Sequence, residues 1–154
     1  MTTGEPTVAD WRFALVCSRF NDLVVERLER GARQALVRRG IPDHAVDTFW
    51  APGALELPIV AKAAADTRRY DAIVALGAVV RGATYHFEVV ADQSAAGLVH
   101  VALDAGIVVT NGIVTVDTLE QALDRAGGKS GNKGADAASA ALETVELTRT
   151  IRAG

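Results

Sequence analysis

Residues 72–86 read AIVALGAVVRGATYH. The first five, Ala72–Leu76, are a continuous apolar run without polar alternation, which suits a strand covered on both faces of a parallel sheet. The ten that follow predict a loop, and beyond them Phe87, Val90, Ala91, Ser94, Leu98 and Val101 recur at helical spacing over 87–103. The same order of elements repeats on either side. FALVC (Phe13–Cys17) and IVVT (Ile107–Thr110) read as further buried strands, and VDTFW (Val46–Trp50) as a weaker fourth. Leu23–Arg39 puts Val24, Leu28, Ala32, Ala35 and Leu36 on one helical stripe, with Gly40 as its stop. Pro58–Arg68 opens on a proline suited to a first helical turn, and Asp117–Ala126 offers Asp117 as N-cap with Glu120 three residues on. Ala135–Ile151 closes the chain with a helix rich in small residues. Strands alternating with helices through short connections predict an α/β sandwich around a parallel sheet. Residues 1–154 read as a single domain, with 1–11 as an N-terminal arm that is flexible or contacts a partner.

Composition narrows the function. One cysteine rules out an intramolecular disulfide and favours a reducing compartment, so a cytoplasmic protein is expected. Three histidines beside it leave almost no room for a Cys/His zinc site. With 16 Lys+Arg against 19 Asp+Glu, net charge −3, the chain lacks the basic excess of a nucleic-acid binder. No apolar run reaches the ~18 residues of a membrane span, and MTTGEPTVADWR does not read as a signal peptide. A hydrophobic content of 49% is high for so small a domain and points to surfaces buried between subunits.

Ligands in open α/β sheets bind outside the carboxyl ends of the strands. The segments expected there are SRFN, APGALELP, GAVVRGATYH and NGIVTV. Gly128-Lys129-Ser130 imitates the end of a phosphate-binding P-loop, but position 123 is Leu where that motif needs glycine. No G-x-G-x-x-G, HExxH or G-x-S-x-G is present. RGATYH is more telling: Gly82 and Ala83 let backbone approach a ligand, and Thr84 could cap the next helix, whose N–H groups attract anions. His86 would lie in its first turn. An isolated T-x-H is nonetheless more often a capping threonine and a surface histidine, and His44 and His100 carry no signal. Glu56, between two leucines after a Pro-Gly turn, suits ligand hydroxyls or plain solvent equally. Phe20 could stack on a flat ring or pack in the core. Arg125 could clamp a phosphate or simply favour a helix C-terminus. Lys129 and Lys133 among four glycines suggest a flexible basic loop, and Cys17 reads as a packing residue.

Taken in order, SRFN, PGALELP, LGAVVRGATYHFE, NGIVT, EQALDRAG and GNKGADAA closely resemble the 6,7-dimethyl-8-ribityllumazine synthase family, from about Phe13 to the last helix. The resemblance implies a flavodoxin-like three-layer α/β sandwich with a four-stranded parallel sheet flanked by helices. It implies a transferase of riboflavin biosynthesis that condenses 5-amino-6-(D-ribitylamino)uracil with 3,4-dihydroxy-2-butanone 4-phosphate, without cofactor or metal. Carried over by position, Phe20 stacks on the pyrimidine, Ala54, Leu55 and Glu56 bind the ribityl chain, and Ala78, Val79 and Val80 line the pyrimidine. Ala83, Thr84 and Arg125 hold phosphate, His86 gives and takes the proton, and Asn111 and Lys133 reach the pyrimidine from a neighbouring subunit. Two residues depart from the commoner pattern: Asn111 stands where many members have Phe, and Ala78 where Thr is frequent. The resemblance also implies a homo-oligomer, built of pentamers with an icosahedral shell as the expected final state. Riboflavin synthase is a candidate partner; no nucleic acid or membrane is expected. The alanines of the last helix would allow close contacts around a symmetry axis. Competing readings are a flavin- or lumazine-binding carrier and a catalytically inactive cage subunit.

Overall fold

The computed structural model describes residues 8–154. Along them run β1 (Phe13–Ser18), α1 (Asp22–Arg38), β2 (Val46–Ala51), α2 (Leu57–Asp66), β3 (Ala72–Val80) and α3 (His86–Ala105). They are followed by β4 (Val108–Val116), α4 (Leu119–Asp124), β5 (Ala126–Gly128), β6 (Gly131–Asn132) and α5 (Lys133–Ala153). Strands β1–β4 form one parallel sheet in the order β2-β1-β3-β4, and β5–β6 a small antiparallel hairpin. The α/β sandwich with a four-stranded parallel sheet is therefore the fold this chain adopts. No described helix is long and apolar enough to cross a membrane.

The strand period of two divides the core into two layers. Phe13, Leu15 and Cys17 of β1 pack with α1 and α5, whereas Ala14 and Val16 pack with residues of α2 and α3. Every residue of β1 is buried, as is β3 up to Val79, which explains their unalternating sequence. On α1, Val24, Leu28, Ala32 and Leu36 are buried as the helical stripe predicts. Its stop is a Schellman turn: Ile41 N–H donates to the Leu36 carbonyl and Gly40 N–H to that of Val37, with Gly40 at φ 100°. The buried Ile41 supplies the accompanying apolar contact.

Several expectations need correction. GAVV and NGIVTV are not loops: β3 runs on to Val80 and β4 to Val116, paired rung for rung. The cap of α4 is Thr118 rather than Asp117; its hydroxyl accepts from Gln121 N–H, and Gln121 Oε1 accepts from Asp117 N–H. Thr84 lies one residue before the cap position of α3, which is Tyr85, and its hydroxyl meets His86 N–H only at 3.4 Å. The basic loop is the β5–β6 hairpin, with Lys129 at its turn beside Asp124 and Lys133 opening α5. Of the α5 alanines, Ala137, Ala138 and Ala141 are used inside the subunit, buried with β4 and α1 residues, while Ala140 is exposed. Of the expected arm, Val8–Asp10 form a 3-10 turn and Trp11 is buried; residues 1–7 lie outside the described residues.

α1 and α5 approach closely because Gly134 faces backbone. A Cβ there would overlap the Leu28 carbonyl oxygen. Asn132 locks the same contact: its Oδ1 accepts from Ala135 N–H at the start of α5, and its Nδ2 donates to the Arg27 carbonyl of α1. Gly134→Ala should therefore destabilise the fold by about 3 kcal/mol, the upper part of the overpacking range. Gly82→Ala, whose Cβ would meet nothing within 4 Å, should change stability by less than about 0.5 kcal/mol. Denaturant midpoints at one chain concentration give the comparison, and equal midpoints would mean the helices separate at no cost.

Candidate active site

The connections from β1 and β3 leave in opposite directions, to β2 through α1 and to β4 through α3. This reversal opens a crevice at the carboxyl ends of the two strands. Its first wall is SRFN. Arg19 N–H donates to the Ala51 carbonyl at 2.8 Å and Phe20 N–H to that of Pro52 at 3.2 Å, fastening the loop to the end of β2. Asn21 adopts the left-handed conformation that asparagine tolerates (φ 62°) and donates from Nδ2 to the Ala78 carbonyl at 3.1 Å. So fixed on both sides, the loop leaves the Phe20 ring 70% exposed.

After β2, Pro52-Gly53 turns into a 3-10 turn, Ala54–Glu56, in which Ala54 is buried while Leu55 and Glu56 face outward. Gly53 leaves room for the carboxylate, since a Cβ there would stand 3.1 Å from Glu56 Oε1. The floor is the last part of β3. Pairing with β1 ends at Leu76, whereas pairing with β4 continues to Val80, so Ala78–Val80 have a strand on one side only. Ala78 and Val79 are buried.

Arg81 through His86 complete the crevice. Arg81 donates from Nε to Asp117 at 2.8 Å and from Nη1 to Glu88 at 2.7 Å, and its guanidinium lies 4.4 Å from the Phe87 ring centroid. The hydrogen bonds to Asp117 and then Glu88 raise its pKa further, so it is a fixed cation. Gly82, Ala83, Thr84, Tyr85 and His86 are all exposed, and His86 begins α3 with its ring exposed beside them. Cys17 sits below in the core, where burial pushes its thiol pKa up, as a packing role requires.

Phe20, Ala54–Glu56, Ala78–Val80 and the 83–86 loop thus belong to one end of the sheet. Arg125, Asn111 and Lys133 do not join them within the subunit. Arg125 caps α4, whose Ala122 and Leu123 pack on the α1 and α5 side, while Phe87 and Val90 of α3 pack on the other. It donates to the Gln121 carbonyl of its own helix, and its own carbonyl accepts from Lys133 N–H at 2.7 Å. Asn111 pairs opposite Ala75, five rungs or roughly 16 Å below Val80. Its Oδ1 accepts from Ile113 N–H, which leaves the amide nitrogen facing the exposed edge of β4. Thr110 beside it donates to Ala137, one turn from Lys133. The named residues therefore form two groups. Sequence reasoning assigned no role to Asn21 or Arg81, because their partners stand 57, 36 and 7 residues away.

The family described as 6,7-dimethyl-8-ribityllumazine synthase matches residues 10–149. Proteins of that name from Anaeromyxobacter sp. strain K and Anaeromyxobacter dehalogenans strain 2CP-1 are each 55% identical over 138 residues, covering 90% of this chain and 85% of theirs. The one from strain 2CP-C is 54% identical over the same span.

Proposed function

This chain belongs to the 6,7-dimethyl-8-ribityllumazine synthase family, and from that premise we propose how its residues divide the reaction. It condenses 5-amino-6-(D-ribitylamino)uracil with 3,4-dihydroxy-2-butanone 4-phosphate, forming the lumazine of riboflavin biosynthesis and releasing phosphate and water. The observation that supports the assignment of roles is that an aromatic ring, a carboxylate, an open strand end and an imidazole all lie at the carboxyl end of the sheet.

Phe20, held by its backbone to Pro52, offers the pyrimidine a stacking face. The half-flanked backbone of Ala78, Val79 and Val80 runs alongside the ring, and lacking the common threonine hydroxyl, Ala78 contributes through its main chain. Ala54, Leu55 and Glu56 follow the ribityl chain, with the carboxylate accepting from its hydroxyls. Ala83 and Thr84 receive the phosphate beside the N-terminal turn of α3, whose N–H groups favour an anion. The uracil's 5-amine attacks the ketone, water leaves, and an imine forms. Phosphate is then eliminated, and attack by the ribityl-bearing nitrogen closes the ring with loss of a second water. His86, next to the phosphate loop, carries protons between these steps. Both reactants bring their own nucleophile and leaving group, so alignment supplies most of the acceleration.

Homo-oligomeric assembly accompanies family membership, and its arrangement is our inference. Arg125, Lys133 and Asn111 complete the crevice of a neighbouring subunit: Arg125 and Lys133 share a backbone hydrogen bond between α4 and α5, and Asn111 lies five rungs down the sheet from Val80. α3 supplies the contact surface: Val89, Ala96, Val99 and Leu103 recur at helical spacing on its exposed side, with Leu103 81% exposed. We infer pentamers, closed into an icosahedral shell by analogy with relatives that share the short 127–134 segment. A cytoplasmic setting fits the lone, buried cysteine, and riboflavin synthase is the candidate partner that takes up the product.

A turnover assay with both substrates tests the activity; a carrier or an inactive cage subunit would give no product. His86→Ala should slow turnover ~10²-fold, the low end for acid–base help, because water and the substrate phosphate also relay protons. Full activity would remove His86 from the mechanism. Arg125→Ala should lose about 1.5–3 kcal/mol of charge-assisted binding, raising the KM of the phosphorylated ketone alone. Mixed oligomers of His86→Ala and Arg125→Ala subunits should regain part of the activity, since some interfaces then hold both intact groups. No recovery would place Arg125 in its own chain's site. Sedimentation and imaging at neutral pH should show hollow particles; free pentamers would refute the shell, and an active monomer the shared site.

A further inference from the structure

We propose that Arg81 is the positioning residue of the phosphate loop: it holds residues 82–85 in place without touching the substrate. The inference rests on the phosphate-site reading above.

The loop has little to hold it. Gly82 stands in open space, Ala83, Thr84 and Tyr85 are exposed, and the bond between Thr84 and His86 is long at 3.4 Å. Tyr85 is held as the cap of α3, its carbonyl accepting from Glu88 N–H at 3.1 Å, but the three residues before it would sample many conformations if only their ends were joined. Arg81 restrains both ends at once. Its own N–H donates to the Val116 carbonyl at 2.9 Å, so its backbone is still part of the sheet. Its side chain then reaches over the loop to α3, bonding Glu88 at 2.7 Å and lying on the Phe87 ring. A second arm, at 2.8 Å, ties it to Asp117. That anchor is itself fixed, because Asp117 N–H donates to Gln121 and Thr118 caps α4. Three elements thus meet on one guanidinium, and the loop is the short chain between two of them.

The geometry of the guanidinium is specific. Its Nε and one Nη are engaged by carboxylates, and one face covers an aromatic ring. A lysine cannot reproduce that arrangement, since it has no fork of fixed donors and no planar face. Arg81 also offsets part of the charge of Glu88 and Asp117, two carboxylates that would otherwise stand unscreened beside an incoming phosphate. Positioning and neutralisation are separable by mutation.

Inorganic phosphate binding, measured by calorimetry on the assembled protein, reads the loop independently of product formation. Arg81→Ala should weaken phosphate and raise the KM of the phosphorylated ketone ~10-fold, short of the ~10²-fold that a 1 Å misplacement can cost. The KM of the pyrimidine should stay within about twofold, and sedimentation should match the wild type. Arg81→Lys should remain impaired although the charge is kept, and it serves as the second variant should Arg81→Ala not assemble. The triple variant Arg81→Gln, Glu88→Gln, Asp117→Asn carries no carboxylates to unmask, and it too should remain impaired. Recovery of wild-type phosphate affinity in the triple variant would overturn positioning in favour of charge balance. Equal weakening of both substrates would overturn it in favour of a general structural role, and unchanged phosphate affinity in Arg81→Ala would overturn it outright. Wild-type protein that turns over yet binds no phosphate at this loop would sink the phosphate-site reading and this inference together.

Discussion

Beyond Leu76, β3 keeps β4 as a partner and loses β1. Much of the candidate site depends on this stagger. If the four strands ended together, the crevice floor would be a flat row of turns. Because β3 and β4 outrun the others, Ala78–Val80 stay rigid while one side opens to the loops above β1 and β2. The loop after β1 is short, and it is fastened outward to Ala51 and Pro52 and inward to Ala78. The aromatic group it presents is Phe20. Arg81 stands where the long strands stop, so a loop of exposed residues starts from a fixed point.

The fold was legible because burial on both faces leaves a plain record. β1 and β3 lie inside the sheet, and their apolar runs have no reason to alternate. The strand ends were misread for a physical reason that concerns two glycines. Gly77 interrupts an apolar run and looks like a turn, but in the sheet it lies against Ser18, Leu57 and Ile113, where a Cβ would stand 2.8 Å from Ser18 Oγ. Asn111-Gly112 likewise imitates a turn, yet Gly112 lets Leu76 and Ala137 approach while Asn111 bonds the strand's own backbone. A glycine required by close packing and one required by a turn look alike in a sequence. The α5 alanines posed the same ambiguity: small residues announce a close contact without saying with what.

The site was legible to a different degree. Motif order pointed to Phe20, Glu56 and His86, and the fold sets their segments around one crevice. Arg81 and Asn21 escaped because their roles exist only after β1, β3, β4 and α3 have met. Arg125 and Lys133 were visible as charges; the resemblance assigned Lys133 to a neighbour's site and left Arg125 with Ala83 and Thr84. Among the described residues neither makes an ion pair, whereas Arg12, Arg33, Arg39, Arg81 and Arg149 each have a carboxylate partner.

The proposed division of the site between subunits suits the chemistry. Where a protein side chain must act as nucleophile, its geometry has to be set within a fraction of an ångström by neighbours in the same packed core. A condensation whose reactants carry both the amine and the leaving group asks for alignment, a proton carrier and a place for one dianion. Two surfaces that meet can supply those. Each subunit keeps the groups that need a rigid strand end beneath them: the stacking ring, the open backbone and the imidazole at a helix start. Cations supplied by a neighbour, as proposed, would act through charge and tolerate small shifts better than a nucleophile would. On the proposed division, assembly is a condition of activity: the helix that Arg125 caps packs on the α1 and α5 side of the sheet, whereas α3, which the proposed phosphate loop precedes, packs on the other.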